Sequence, residues 1–203
     1  YPQFVQWKEI SAANRGQTER VSPAPIESDK ATPEERIESD HAALMAELRS
    51  EVLSRILDSS PSFFEQLIID LLLAMGYGGG RAEMGRAIGR SGDGGIDGII
   101  KEDALGLDII YIQAKRYAPG NSVGRPEVQS FAGSLDGVGA NKGLFVTTST
   151  FSSGALEYAE RIAKRIILID GDELARLLIR HDVGVRSRNT FEVKKLDEDY
   201  FSE

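Results

Sequence analysis

From Thr32 onward, apolar residues recur at helical spacing as Ile37, Leu44, Leu48, Val52 and Ile56. Thr32 suits an N-cap, Pro33 the first helical position and Glu35 the third, so the pattern predicts an amphipathic helix over 34–58. A second start follows at Ser60-Pro61-Ser62. Behind it Phe63, Phe64, Leu67, Ile68, Leu71, Leu72 and Met75 make a broad apolar face that Gly76 closes, as a core helix requires. The period then changes. The glycine-rich stretch 76–95 predicts a short strand near 81–88 and a tight loop, and it matches neither a P-loop nor Gly-x-Gly-x-x-Gly. Short β-branched and aromatic runs bounded by Gly, Asp and Pro predict strands at 96–100, 108–115, 143–148 and 166–170. Helical patterns fall at 125–138, 155–164 and 172–181. Strands joined by helices imply an α/β sheet with helices on both faces. Residues 1–33 mix Pro2, Pro23, Pro25 and Pro33 with polar residues and show no sustained period, so they read as a linker or the remnant of an upstream domain.

Composition narrows the chemistry. The 203 residues contain no cysteine, which excludes a disulfide framework, a zinc–thiolate cluster and a thiol nucleophile. With only His41 and His181, both at surface positions of helical patterns, a histidine-rich metal site is excluded too, and any metal must be a hard ion on oxygen ligands. No run approaches the ~18 apolar residues of a membrane span, and no basic-then-apolar leader opens the chain, so no membrane partner and a cytoplasmic location are expected. The net charge of −8 argues against a strongly basic DNA-coating protein. That veto is weak, because residues 81–130 balance seven basic against seven acidic side chains, and several of those acids suit metal binding. The first residue is Tyr1, so a fragment of a longer protein is expected.

Two segments carry the candidate chemistry. Asp97 ends Gly92-Asp93-Gly94-Gly95-Ile96-Asp97, and Gln113-Ala114-Lys115 ends an apolar run. Residues two apart on a strand share a face, so Gln113 and Lys115 project together while Ile112 and Ala114 turn into the core. With the strand of Asp97 alongside, the Asp97 carboxylate, the Gln113 side-chain oxygen and the Ala114 carbonyl can converge on one ion. Mg²⁺ takes about six oxygen ligands and keeps several waters, so two or three protein oxygens and a DNA phosphate suffice. Lys115 would orient or deprotonate the attacking water, or offset charge on the phosphate.

Each residue also has a plainer reading. Asp97 beside glycine is ordinary turn chemistry, as is Asp93, and Gln113 and Lys115 would suit the solvated face of an edge strand. Their joint occurrence favours a hydrolytic site. Glu65, on the core helix, is a further candidate ligand, although Ser62-x-x-Glu65 also spells a capping box. The hydroxyls of Thr148 and Ser149 at a strand end, with Arg116, Arg125 and Lys142, are candidate phosphate contacts; the alternatives are turn capping and ordinary solvated charge.

At these residues the chain resembles the Mrr family of restriction endonucleases, within the PD-(D/E)xK nuclease superfamily. The resemblance covers Ser60-Pro61-Ser62-Phe63-Phe64-Glu65, Met75-Gly76-Tyr77-Gly78-Gly79, Gly92 to Gly98, Tyr111 to Arg116, Val123-Gly124-Arg125-Pro126-Glu127, Val146-Thr147-Thr148-Ser149, Ile169-Asp170-Gly171 and Leu196 to Phe201. It implies a restriction-endonuclease-like α/β core with a central mixed sheet flanked by helices, preceded by an extra long N-terminal helix. Residues 59–203 would be the catalytic domain. Asp97 would be the motif acid, and Gln113-x-Lys115 would stand for Glu/Asp-x-Lys. A neutral amide there weakens Mg²⁺ binding and strengthens the case for Glu65 as a supplementary acid.

The implied activity is Mg²⁺-dependent cleavage of double-stranded, methylated foreign DNA, with Mn²⁺ as a substitute cofactor. The implied partners are a second copy or a higher homo-oligomer and an upstream winged-helix DNA-reading domain. Two rivals stay open at this point: a structure-selective nuclease like the Holliday-junction resolvases, and a DNA-binding module of the same fold without catalysis.

Overall fold

The computed structural model describes residues 31–88, 95–103 and 105–202. Asp93 and residues 1–30 of the expected linker lie outside that set. The chain divides into two compact units, residues 1–43 and 44–203, with the boundary inside the first helix.

In the first unit, helix α1 (Pro33–Asp58) begins on the expected capping box. The Thr32 amide donates to Glu35 Oε2 at 2.6 Å, and the Glu35 amide donates to Thr32 Oγ1 at 3.2 Å. Two otherwise orphaned N–H groups are thereby satisfied, worth about 1 kcal/mol together. Ile37 is exposed.

The second unit holds the rest of α1 and everything after it. Helix α2 (Pro61–Ala74) is capped by Ser60, and Gly76, in the left-handed region at φ +97°, ends it as expected. Strands β1 (Gly85–Ala87), β2 (Gly98–Lys101), β3 (Ile109–Lys115), β5 (Lys142–Thr147) and β7 (Arg165–Ile169) form one mixed sheet in the order β1-β2-β3-β5-β7. The pairs β1/β2 and β2/β3 are antiparallel, whereas β3/β5 and β5/β7 are parallel. Helices α3 (Arg125–Gly137), α4 (Ser153–Arg161) and α5 (Gly171–Arg180) make the crossovers and the closing layer, and a short helix α6 (Glu198–Phe201) lies near the end. A two-stranded parallel ribbon, β4 (Ser122–Val123) with β6 (Thr150–Phe151), lies beside the main sheet. Two residues leave no periodicity to read, so the sequence does not announce it.

The pleat divides the core in two. Ile112 of β3 and Leu144 and Val146 of β5 face α2 and α5, packing on Phe64, Ile68, Leu71, Leu174 and Leu178. Phe145, between them in sequence, faces α3 and α4 and meets Val128, Phe131, Leu135 and Ala155. Its ring sits edge-on to Phe131 at 5.6 Å between centroids. Each such side chain removed from water contributes about 1.5–3 kcal/mol, and one register shift of β5 would send each set into the layer built for the other, so it is strongly disfavoured.

Two expectations need correction. The strand expected over 81–88 is confined to Gly85–Ala87, because residues 82–84 close a 3-10 turn with Met84 buried. The stripe expected along α1 is covered only at its carboxy-terminal end: Ile56 is buried and Val52 half-buried, while Leu44 is exposed. Among the described residues, no helix is long and apolar enough to cross a membrane.

Candidate active site

The carboxy-terminal end of β3 gathers the expected chemistry. Asp97 sits one residue before β2, where its amide donates to the Ile112 carbonyl at 2.8 Å and its carbonyl accepts from the Ile88 amide at 2.7 Å. Its side chain turns onto the neighbouring strand. Asp97 Oδ2 accepts from the Ala114 amide at 2.8 Å, so the carboxylate is held between Gln113 and Lys115 along the chain of β3. The regular ladder ends with Gly98 opposite Ile112, and the Asp97 amide bonds to the carbonyl of that same Ile112. On an extended strand the N–H and C=O of one residue point to the same side, so the Ala114 carbonyl faces the β2 side of β3.

Gln113 has the most informative environment. It is 6 % exposed, and its Oε1 is the one buried side-chain polar atom without a hydrogen-bond partner among the described residues. Such an orphan costs about 1–3 kcal/mol unless something else supplies its partner. Gly95 shapes the pocket around the amide. At φ +100° it adopts a backbone few other residues tolerate, and a Cβ there would lie 2.6 Å from Gln113 Nε2. Gly95→Ala is therefore expected to displace the amide while the packed sheet persists. A loss of divalent-cation affinity in calorimetry, with near-parent thermal stability, would check this, and unchanged affinity would refute it.

Glu65 is half-buried on α2, and its plainer reading is corrected. Ser60 is the N-cap, its Oγ accepting from the Phe63 amide at 3.1 Å, so Ser62 is already helical and Glu65 lies two residues beyond Phe63, the position a capping-box acid would hold. Leu73 and Ile69 lie over Gly85, and Ile69 reaches on to Gly98. The next residue of that row, four positions earlier, is Glu65. The start of α2 is tied to the same end of the sheet, because Arg116 Nη1 donates to the Leu57 carbonyl at 3.0 Å and to the Ser59 carbonyl.

Lys115 is the last residue of β3, paired with Thr147, and is half-buried. Its carbonyl accepts from Thr147 Oγ1 at 2.8 Å and from the Thr148 amide at 3.2 Å. Beyond it, burial and the Glu127 carboxylate push the Tyr117 phenol up; that phenol donates to Glu127 Oε1 at 3.3 Å, and Glu127 Oε2 accepts from the Gly124 amide at 2.7 Å at the start of α3.

The candidate phosphate contacts separate. Arg125, exposed at the start of α3, lies 5.3 Å over the Tyr158 ring and keeps its charge at the surface. Arg116 spends donors on the carbonyls named above. Thr148 and Ser149 are buried, and their hydroxyls donate to the carbonyls of Tyr117 and Asn121. They face the protein, which corrects the expectation that they meet phosphate. Lys142 opens β5 at the opposite end, roughly 16 Å along the strand from Thr147 at ~3.3 Å per residue. There it pairs with Glu102 at 2.5 Å and Asp108 at 3.0 Å, and those two bonds raise its pKa.

Sequence reasoning gave Gly95 no role of its own, passed over Tyr117, and read Thr147 only as one of a run of strand-end hydroxyls. A glycine two residues before a motif acid was a usable signal for the first; the partners of the other two show only once the strand ends are assembled.

No three His, Cys, Asp or Glu side chains converge as a metal centre among the described residues. The arrangement is one carboxylate, one orphaned amide oxygen and one lysine at the end of a mixed sheet with α2 against it, which is the core of a restriction-endonuclease-like fold. The chain belongs to the Mrr-type restriction endonuclease family, whose model, described as "Restriction endonuclease", matches residues 56–178. It is 45% identical over 180 residues, 89% of its length, to the type IV methyl-directed restriction enzyme EcoKMrr of Escherichia coli (strain K12), and spans 58% of that protein. Among solved structures it is similar to the MspJI restriction endonuclease in complex with a 27-mer oligonucleotide (26% identity, 81% of this chain and 36% of that one, TM-score 0.48). It is also similar to the DNA modification-dependent restriction endonuclease AspBHI (20% identity, 65% and 38%, TM-score 0.41).

Proposed function

We propose that this chain is the catalytic domain of a divalent-cation-dependent endodeoxyribonuclease that restricts methylated foreign DNA, with Mg²⁺ as the ion and Mn²⁺ able to replace it. The observation that carries the reading is the buried, partnerless Oε1 of Gln113 on the residue next to the Ala114 amide that holds Asp97. An oxygen kept from water without a partner is suited to a ligand that arrives with its own positive charge.

Asp97, Gln113 Oε1 and the Ala114 carbonyl would hold the ion, with Glu65 as a supplementary acid. When bound, the cation withdraws charge from the scissile phosphate and lowers the pKa of coordinated water. The remaining work falls to the protein. Lys115 Nζ orients the attacking water and holds its proton, or offsets charge on the phosphate. Arg125 offers a surface charge to the DNA backbone. Residues 59–203 would form the catalytic domain, with 34–58 as a helix leading into it and 1–33 as the link to an upstream winged-helix domain that reads the modified base. One site of this kind cuts one strand, so a double-strand break calls for two copies, and a homodimer is expected.

The test is cleavage of methylated and unmethylated plasmid by the protein with its upstream domain, in Mg²⁺ and after chelation. Cleavage that survives chelation would refute the metal assignment, and equal cutting of the two substrates would refute the restriction assignment. A four-way junction cut in preference to every duplex would favour a resolvase. Gln113→Glu should hold Mg²⁺ as tightly as the parent or more so, since a carboxylate replaces an amide; weaker binding in calorimetry would remove Gln113 from the ligand set.

A further inference from the structure

We infer that Thr148 is a positioning residue for Lys115, acting through the main chain on either side of it. The inference rests on the role proposed for Lys115. Lys115 is the terminal residue of β3, and its partner Thr147 is the terminal residue of β5, so the regular ladder stops where the chemistry begins. Strand ends fray unless they are tied down.

Here the tie is made by successive hydroxyls. Thr147 Oγ1 donates to the Lys115 carbonyl at 2.8 Å, and the Thr148 amide donates to the same carbonyl at 3.2 Å. Thr148 Oγ1 then takes both main-chain groups of Tyr117, accepting from its amide at 2.9 Å and donating to its carbonyl at 2.8 Å. Lys115 is held through its own carbonyl, and the second residue after it is held through both polar groups, by one residue that is 6 % exposed.

Thr148 is therefore not a generic turn cap. Its hydroxyl fixes the exit of β3, and with it the base of the long lysine side chain, whose amine must stay within a few tenths of an ångström of its working place. A shift of about 1 Å at such a position costs on the order of a hundredfold in rate. Valine at 148 keeps the shape and loses the hydroxyl; serine keeps the hydroxyl.

The experiment uses the 203-residue chain and two readouts. Reductive methylation with ¹³C-formaldehyde makes every lysine visible by NMR, and the signal missing from Lys115→Ala identifies Lys115. In Thr148→Val that signal should move by more than its linewidth, and in Thr148→Ser it should return to the parent position. On unmodified protein with duplex DNA and Mg²⁺, Thr148→Val should lose ten- to a hundredfold in kcat at unchanged KM, and Thr148→Ser should stay within about threefold of the parent. A Lys115 signal that does not move in Thr148→Val overturns the proposal, as does equal impairment of the serine and valine proteins. A signal that moves in Thr148→Val and returns in Thr148→Ser, while the protein with its upstream domain cleaves no methylated DNA in Mg²⁺, upholds the positioning and refutes the nuclease role.

Discussion

Replacing Lys115 by alanine is expected to give a folded protein that still binds DNA and cleaves it on the order of 10²–10⁴-fold more slowly, the usual worth of a positioned proton-transfer group. The fold should survive, because the groups that hold this residue are its own backbone carbonyl and its neighbours, none of which the substitution touches. The half-buried stem packs less area than a core side chain, so only a small loss of thermal stability should follow. Single-turnover cleavage of a radiolabelled duplex, with binding followed by anisotropy, separates the two effects. Cleavage at the parent rate would remove Lys115 from the mechanism.

Asp97→Asn should be as damaging for a different reason. The asparagine oxygen can still accept from the Ala114 amide, so the connection that fastens the 95–97 segment to β3 persists. What disappears is the negative charge beside the Gln113 amide, and with it most of the attraction for a divalent ion. A loss of several kcal/mol of charge stabilisation at the phosphate corresponds to about a thousandfold in rate. Calorimetric titration with Mg²⁺ and plasmid nicking should fail together while thermal unfolding stays close to the parent's. Nicking equal to the parent's would end the nuclease reading.

Much of the candidate site is legible in the sequence, because its positions follow from local rules. Strand alternation alone put Gln113 and Lys115 on one face with Ile112 and Ala114 on the other, and the pleat observed around Ile112, Val146 and Phe145 agrees. The two helix starts were equally readable, since Thr32 and Ser60 precede prolines and cap locally. What escaped depends on distant partners. The Thr147-Thr148-Ser149 run looked like phosphate chemistry because a sequence does not say whether a hydroxyl faces water or a neighbouring loop. Glu65 was read as a possible cap because Ser60 and Ser62 both precede Phe63, and only the backbone of Ser60, at φ −74° and ψ 155°, shows which of them stands outside the helix. The stripe on α1 has faultless spacing, yet spacing does not say how far along a helix another surface is present to receive it.

The guanidinium of Arg116 has a mechanical consequence. By gripping the carbonyls of Leu57 and Ser59, it rivets the hinge between α1 and α2 to the peptide that follows Lys115. A change in the path of the chain between those two helices is thereby felt at the end of the strand bearing the amine.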